Sequence, residues 1–307
     1  MRKVLITGGA GFIGRHLADH LVGRGDVAVT VLDNESLGDR HQLDLDTVRF
    51  IHGDLRSRDD VRQALEGQDA VVHLAADTRV MDSIADPTFN FHNNVVGSFN
   101  LLEECRELGV GRVVVASTGG AIVGDVQPPV HEALAPHPTS PYGASKLMLE
   151  GYVDAFSASY GLRGCALRFS NIYGPRSWHK GSVVAQFFKT ILAGEPLVVY
   201  GDGSQSRDYL FVGDLVEAIG ASIDSDAVGA IQLGSGHPTT INELLDAMRH
   251  VVGRELDVHY ADFRAGEVRE TWCQIDRARD LLGFNPTTSL ENGLQVTWDW
   301  FTHQPRG

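Results

Sequence analysis

Val4-Leu5-Ile6-Thr7-Gly8-Gly9-Ala10-Gly11-Phe12-Ile13-Gly14 is the stretch that decides the fold. Val4 to Thr7 is a short apolar run of the kind that makes a buried parallel strand. Gly8, Gly11 and Gly14 follow at three-residue spacing, and Leu17, Ala18, Leu21 and Val22 then recur at helical spacing. The glycines therefore fall on a strand-to-helix turn. In that context one glycine allows the tight turn, one lets backbone approach a pyrophosphate, and one lets the helix pack close to the strand. The helix N-terminus offers unpaired N–H groups and a partial positive charge to the phosphates. Val27 to Leu32 reads as a second strand ending in Asp33. An acid at that distance is placed to accept hydrogen bonds from an adenosine ribose. Asp33 would repel a 2′-phosphate, and Asn34 and Glu35 follow it where an Arg would be needed, so the pattern favours NAD over NADP.

The chain has 307 residues, 43% hydrophobic and 21% charged, which is the composition of a globular protein long enough for a large nucleotide-binding domain with a smaller lobe. A formal net charge of −14 argues against general binding to nucleic acid or anionic membrane. A negatively charged substrate would need locally placed Arg or Lys. Cys105, Cys165 and Cys273 are scattered without a CxxC pair, which suits a reducing cytoplasm better than a disulfide framework. No apolar run approaches the length of a membrane span, and the run after Met1-Arg2-Lys3 ends at once in Thr7-Gly8-Gly9, as a first strand would.

Strands and helices alternate through the first half. Further strands are expected at Val48–Gly53, Ala70–Ala75, Arg112–Ser117 and Cys165–Phe169. Helices are expected at Arg58–Leu65, from Asp86-Pro87 to about Leu108, and from Ser140-Pro141 onward, with Ser as N-cap and Pro at the first helical position. Repeated βα units imply a doubly wound parallel sheet, whose ligands bind at the carboxyl ends of the strands. The second half is less regular. Helices are expected at Val183–Ala193, Val212–Ser222, Thr240–Val252 and Leu290–Phe301, and strands at Pro196–Tyr200 and Ala230–Leu233, the latter returning to the main sheet.

Tyr142-Gly143-Ala144-Ser145-Lys146 opens the long helix. Tyr and Lys four apart share one helix face. A tyrosine ordinarily titrates near pH ~10 and is a poor base at neutrality. A nearby ammonium and a positive nicotinamide favour the phenolate, which could then take a proton from an alcohol as hydride leaves the same carbon.

With these residues the chain resembles the extended short-chain dehydrogenase/reductase family, and within it the nucleotide-sugar 4-epimerases of the UDP-glucose 4-epimerase type. Thr7–Gly14 is similar to the NAD loop, with Gly8, Gly11, Phe12, Ile13 and Gly14 as contacts, and Leu32–Asn34 to the ribose-binding strand end carrying Asp33 and Asn34. Gly53–Leu55 resembles the segment that brackets adenine through Asp54 and Leu55. His73–Ala76 resembles the one lining the cofactor through Leu74, Ala75 and Ala76. Asn93–Gly97 resembles the segment whose second Asn, here Asn94, supports the cofactor pocket. Ser117 and Phe169 lie at strand ends that the resemblance also assigns to the cofactor. Tyr142 and Lys146 match the catalytic pair. The resemblance assigns Asn171 to the substrate diphosphate region, Arg207 and Arg264 to the UDP pyrophosphate, and Thr271 to the border of the sugar pocket. It implies a Rossmann domain over residues 1–170 with a returning strand near 230–234, a nucleotide-sugar-binding lobe mainly over 171–307, and a homodimer through helices around Leu101–Leu108 and Tyr142–Tyr152.

Two departures carry information. The family places a Ser or Thr after the fifth strand, in a segment ending Tyr-Gly. Here Val123-Gly124 ends the segment, and counting back puts Gly119 at the hydroxyl position with Thr118 one residue earlier. Thr118 is therefore the expected catalytic and substrate-contacting hydroxyl. The related 4,6-dehydratases carry an Asp-Glu pair just after that Thr, where this chain has Gly119-Gly120. The implied reaction is NAD-dependent inversion of C4 through a 4-ketose, with no metal. His16 and His20 are four apart on the first helix, a metal-compatible spacing, but no third ligand presents itself. Arg176 and Lys180 fall in a loop expected over the sugar. The alternatives are another nucleotide-sugar oxidoreductase or dehydratase of the family, and a non-catalytic NAD-binding regulatory protein.

Overall fold

The computed structural model describes residues 1–263 and 269–304. Seven strands form one parallel sheet: β1 (Arg2–Thr7), β2 (Val27–Asp33), β3 (Val48–His52), β4 (Ala70–His73), β5 (Arg112–Thr118), β6 (Arg163–Phe169) and β7 (Gly229–Leu233). Their spatial order is β7-β6-β5-β4-β1-β2-β3. The order reverses between β1 and β4, and the carboxyl ends of those two strands open the crevice where such sheets bind ligands.

Alternate residues of each strand enter opposite cores, as the period of two requires. Val4 and Ile6 pack with Leu17, Leu21, Leu215 and Ile219 from helices Phe12–Gly23 and Val212–Asp224. Leu5, Val71 and Val113 pack on the other face with Leu65, Leu101 and Leu149 from helices Arg58–Leu65, Gly97–Leu108 and Pro141–Tyr160. Each such side chain, fully removed from water, contributes roughly 1.5–3 kcal/mol. Because both faces are covered, the strands read as continuous apolar runs.

The second half folds around its own core of Tyr173, Phe188, Leu244, Leu245, Met248, Leu294 and Phe301. Its helices are Val183–Ala193, Ile241–Val252 and Leu290–Thr302. Three small ladders connect it: Asn171–Tyr173 with Tyr209–Phe211, Ser206–Arg207 with Thr239–Thr240, and Leu197–Tyr200 with Val258–Ala261. Midway through these segments, after Val212–Asp224 and before Thr239–Thr240, the chain re-enters the main sheet as β7. Arg112, fully buried at the start of β5, guides that return: its guanidinium donates to Ser222 O at 2.8 Å and to Ala227 O at 2.6 Å.

The helix expected from Asp86 to Leu108 is broken into three pieces. Pro87–Asn90 is α-helical, Phe91–Val96 is a π-helical turn, and Gly97–Leu108 resumes the α-helix. Val80–Ala85 adds a short helix that no periodicity announces. Among the described residues no helix is long and apolar enough to cross a membrane.

Candidate active site

The glycine turn is built as a cradle. Gly8 has φ +70°, and a Cβ there would meet Ala75 N at 2.6 Å. A Cβ on Gly14 would meet Gly8 O at 2.4 Å and Gly9 Cα at 2.5 Å, so this glycine sets how closely the helix approaches the turn. Gly11 differs: a Cβ there would touch only Gly8 O, at 3.2 Å. It is the N-cap of helix Phe12–Gly23, with no side-chain cap, so the first N–H groups of this helix stay available to an anion. Phe12 and Ile13, half-buried, form the first helical turn.

Asp33 closes β2. Its Oδ2 accepts from Ala10 N at 3.0 Å and its Oδ1 from Glu35 N at 2.8 Å, which ties the strand end to the glycine turn. Burial raises its carboxyl above the usual range, while those two backbone donors oppose the shift. Asn34 donates to Asp54 Oδ2 at 3.1 Å, and Arg56 binds the same carboxylate, which holds Asp54 well below its ordinary pKa. Leu55 is buried against Gly97, whose added Cβ would lie 3.0 Å from Leu55 Cβ. The open cradle, the uncapped helix and the acid at the strand end together fit an adenine dinucleotide. Arg40, the basic group near this corner, is engaged by Glu35 through its backbone N at 3.1 Å and its Nε at 2.8 Å.

Leu74, Ala75 and Ala76 run on from β4, half-buried, beside Gly8. Thr7 fixes them: its carbonyl accepts from Leu74 N at 3.0 Å and its hydroxyl from Ala75 N at 3.4 Å. The same hydroxyl meets His73 Nδ1 at 2.7 Å, and His73 Nε2 meets Ser98 Oγ at 2.9 Å. Burial, then Lys146, pushes His73 down to about 3, so the ring is neutral in the folded state. Its folded pKa lies below its unfolded one, so the unfolded chain takes up a proton first. The stability this gives is fully present above about pH 6.5 and is lost as pH falls toward 3, at about 1.4 kcal/mol per unit. Urea unfolding should accordingly lose about 2 kcal/mol between pH 6.5 and 5 on this account, and His73→Asn should remove that part of the slope. An unchanged slope in the variant would assign the acid sensitivity to other groups.

Asn94 sits on the π-helical turn and is buried. Its amide bonds Asp77 N and Asp77 O, both at 2.8 Å, and reaches Ser145 Oγ at 3.4 Å. It therefore ties the segment after β4 to the first turn of the long helix. Ser140 caps that helix by accepting from Gly143 N at 3.1 Å, with Pro141 following. Tyr142 and Lys146 lie one turn apart, and both are at least nine-tenths buried. Lys146 Nζ donates to Ala116 O at 2.9 Å, and burial lowers its pKa to about 8. Burial, with Asp77 second, pushes Tyr142 up to about 12, so Lys146 alone does not supply a phenolate here.

Ser117, read as a cofactor contact, turns its hydroxyl into the core and donates to Glu150 Oε1 at 2.6 Å. Thr118 ends β5, half-exposed, in register with Phe169, which is half-buried at the end of β6. Gly119 begins an unexpected helix, Gly119–Val123. A Cβ on Gly119 would lie 2.1 Å from Nε2 of the fully buried Gln232, so side-chain space at this position is already filled.

On the substrate side, Asn171 is exposed and its backbone N donates to Asp208 O at 3.0 Å. Arg207 and Thr271 come together: Thr271 N donates to Ser206 O at 3.2 Å, one residue before Arg207. Arg264 lies outside the described residues. Arg176 donates to Asp19 of helix Phe12–Gly23 at 2.6 Å, while Lys180 rests over the Phe12 ring at 5.1 Å. His16 spends Nε2 on Pro175 O at 3.0 Å, and His20 packs beside Gly220.

Sequence reasoning misses Asp208. Fully buried, it accepts from Ser235 N at 2.6 Å, Cys273 N at 3.1 Å and Gly236 N at 3.2 Å, and so joins the Asn171, Gly236 and Thr271 segments. The available signal is a carboxylate wedged between Arg207 and the apolar run Tyr209–Phe211.

The comparisons with known proteins agree with this geometry. Residues 4–234 match the model of the NAD dependent epimerase/dehydratase family. A putative UDP-glucose 4-epimerase of Methanocaldococcus jannaschii is 33% identical over 307 residues, covering 99% of each chain. The structure of a Thermotoga maritima UDP-glucose 4-epimerase with UDP-glucose superposes with a TM-score of 0.93 at 35% identity, covering 98% of each chain. A UDP-N-acetylglucosamine 4-epimerase of Methanobrevibacter ruminantium, in complex with UDP-N-acetylmuramic acid, gives the same TM-score, identity and coverage. With its parallel sheet, glycine cradle and Tyr142–Lys146 pair, the chain belongs to the NAD dependent epimerase/dehydratase family.

Proposed function

We propose that this protein inverts C4 of a UDP-sugar through a transient 4-keto sugar. The observation that carries the reading is the buried Tyr142–Lys146 face, whose Lys146 Nζ reaches Ala116 O toward the carboxyl end of β5. NAD, when bound, supplies a hydride acceptor and donor for one carbon and a positive ring near Tyr142. The protein does the rest. Gly8, Gly11, Phe12, Ile13 and Gly14 hold the pyrophosphate, Asp33 and Asn34 the ribose, and Asp54 and Leu55 the adenine. Leu74, Ala75, Ala76, Asn94, Ser117 and Phe169 wall the nicotinamide side, Ser117 through its backbone. Tyr142 Oη removes the proton from sugar O4 and later returns one. A phenol pushed up to about 12 is a workable base only when cations face it, and Lys146 is one of them. Thr118 reaches over the strand end as the second hydroxyl, since Gly119 has no room for one.

Asn171, Arg207 and Thr271 border the UDP-sugar, with Arg264 as a second arginine for the diphosphate. Thr271 is small, so an N-acetyl group is tolerated there, and a uronic acid is a further option. Residues 1–170 with β7 act as the NAD domain and most of 171–307 as the substrate lobe. Phe99, Leu108, Tyr152 and Tyr160 are exposed on neighbouring helices, with Phe99 and Tyr152 edge to face at 5.3 Å, and this face suits a homodimer in the cytoplasm. A dehydratase would need an acid and a base where Gly119 and Gly120 stand.

Proton NMR of the purified protein with UDP-glucose, UDP-N-acetylglucosamine or UDP-glucuronate, without added cofactor, tests the reading. The anomeric signal of the galacto epimer is expected with at least one. No new signal with any of the three, even after NAD is supplied, would overturn it, and steady growth of NADH absorbance would point to a reductase.

A further inference from the structure

Behind Lys146 lies a buried ionic group that the reaction as described does not use. Glu150 follows Lys146 by one helical turn, on the face that carries Tyr142. Its Oε1 accepts from Ser117 Oγ at 2.6 Å and from Arg168 Nε at 2.9 Å, and its Oε2 accepts from Arg168 Nη2 at 2.7 Å. The side chains of Arg168 and Glu150 are only 5% and 8% exposed, so solvent screens the pair poorly. A buried ion pair of this kind is weak evidence for stability, because apolar replacements are often no worse. Lys146 itself has one protein hydrogen bond, to a carbonyl, and no carboxylate within salt-bridge distance among the described residues.

We propose that Glu150, locked in place by Ser117 and Arg168, is a positioning residue that keeps the Lys146 ammonium charged beside Tyr142. The assignment of Tyr142 and Lys146 to proton transfer is the reading on which this rests. Burial drives Lys146 down to about 8, and Glu150 is the group that opposes it. Were that opposition removed, the lysine would be largely neutral at physiological pH, and its help to the phenolate would be lost.

The other charged groups around this face are accounted for. Asp77, from the segment after β4, faces Tyr142. His73, on β4, lies near Lys146 and is neutral. Asp154, one turn beyond Glu150, and Glu132, from the loop before the long helix, act on Arg168. Helix Gly119–Val123 and β7 bring no titratable side chain, and Cys105 on helix Gly97–Leu108 is a thiol that burial keeps protonated.

The chain has four lysines, Lys3, Lys146, Lys180 and Lys189, so protein made with lysine carbon-13 labelled at the ε position gives four resolvable signals. Lys146→Met identifies the relevant one. In the wild type it should titrate near pH 8. In Glu150→Gln it should titrate lower by about one pH unit or more, the size expected for loss of a nearby opposite charge. Because Glu150→Gln strands the Arg168 charge, which would itself push Lys146 down, the Glu150→Gln/Arg168→Met double variant is measured beside it and should show a smaller shift in the same direction. The alkaline limb of kcat should move with it, with little change in KM. A Lys146 midpoint unchanged in the double variant would overturn the proposal. A shifted midpoint in a protein that epimerises no UDP-sugar would leave the charge assignment standing and remove the functional reading instead.

Discussion

Tyr142→Phe should lower kcat by about 10²–10⁴-fold, the range ordinarily contributed by a positioned general acid–base group. The ring is nine-tenths buried, so phenylalanine keeps the packing. The hydroxyl is bonded to no other described residue, so its removal strands no partner, and the melting temperature should stay close to that of the wild type. Bound NAD, released by denaturation and quantified, should remain near one per chain. KM should change little, because the lost interaction belongs to the transition state. The pH profile adds a second signature. Residual activity in Tyr142→Phe should no longer show the limb that reports the phenol. A loss smaller than tenfold, with NAD retained, would take Tyr142 out of the proton transfer and leave the buried pair without its assigned role.

Gly8→Ala should damage both the fold and cofactor retention. At φ +70° an L-residue costs roughly 1–2 kcal/mol before any contact is considered. The new Cβ would then press on Ala75 N and Ala75 Cα, at 2.6 and 2.7 Å, and on Leu74 C at 3.0 Å. These are backbone atoms held by Thr7, so they cannot swing aside as a side-chain tip would. A total of about 3 kcal/mol follows, with a fall in melting temperature of roughly 4–6 °C for a chain of this size. The segment 74–76 would also be displaced from the proposed nicotinamide wall, and the protein should purify with little NAD. Gly11→Ala supplies the contrast. Its Cβ meets only Gly8 O at 3.2 Å, so stability should hold while NAD content drops, because the methyl group fills space meant for phosphate. Scanning calorimetry with NAD quantification separates the two. Full NAD content and an unshifted melting temperature in Gly8→Ala would show that the turn relaxes more easily than its geometry implies.

Much of the architecture is legible in the residues because local signals and tertiary demands coincide there. Helices Arg58–Leu65 and Val183–Ala193 begin and end where the apolar spacing places them, and the Ser140-Pro141 signal marks the start of the long helix. The ladders of two or three residues, such as Ser206–Arg207 with Thr239–Thr240, have no signature of their own. They exist because a distant segment arrives beside them. Helix Gly119–Val123 opens with two glycines, which intrinsic propensity disfavours, and only its packing on the long helix makes it fold. The site divides the same way. The glycines, Asp33, Tyr142 and Lys146 are readable because their chemistry demands a spacing. The direction of the Ser117 hydroxyl is not, since it depends on which sheet face receives the long helix. Arg168 and Glu150 are hidden for a related reason: charged residues ordinarily belong on the surface, and nothing local reveals that these two neutralise each other inside.

The return of the chain as β7 also bears on how the molecule is made. When β6 has left the ribosome, its outer edge is a row of unpaired backbone groups, and the strand that covers it lies some sixty residues further along the message. Arg112 waits nearly twice as long, since the carbonyls of Ser222 and Ala227 follow it by 110 and 115 residues. At about 5–20 residues per second, translation leaves that edge open for several seconds. An open parallel edge is a template for pairing with another chain. The window for such wrong pairing closes when Leu233 emerges.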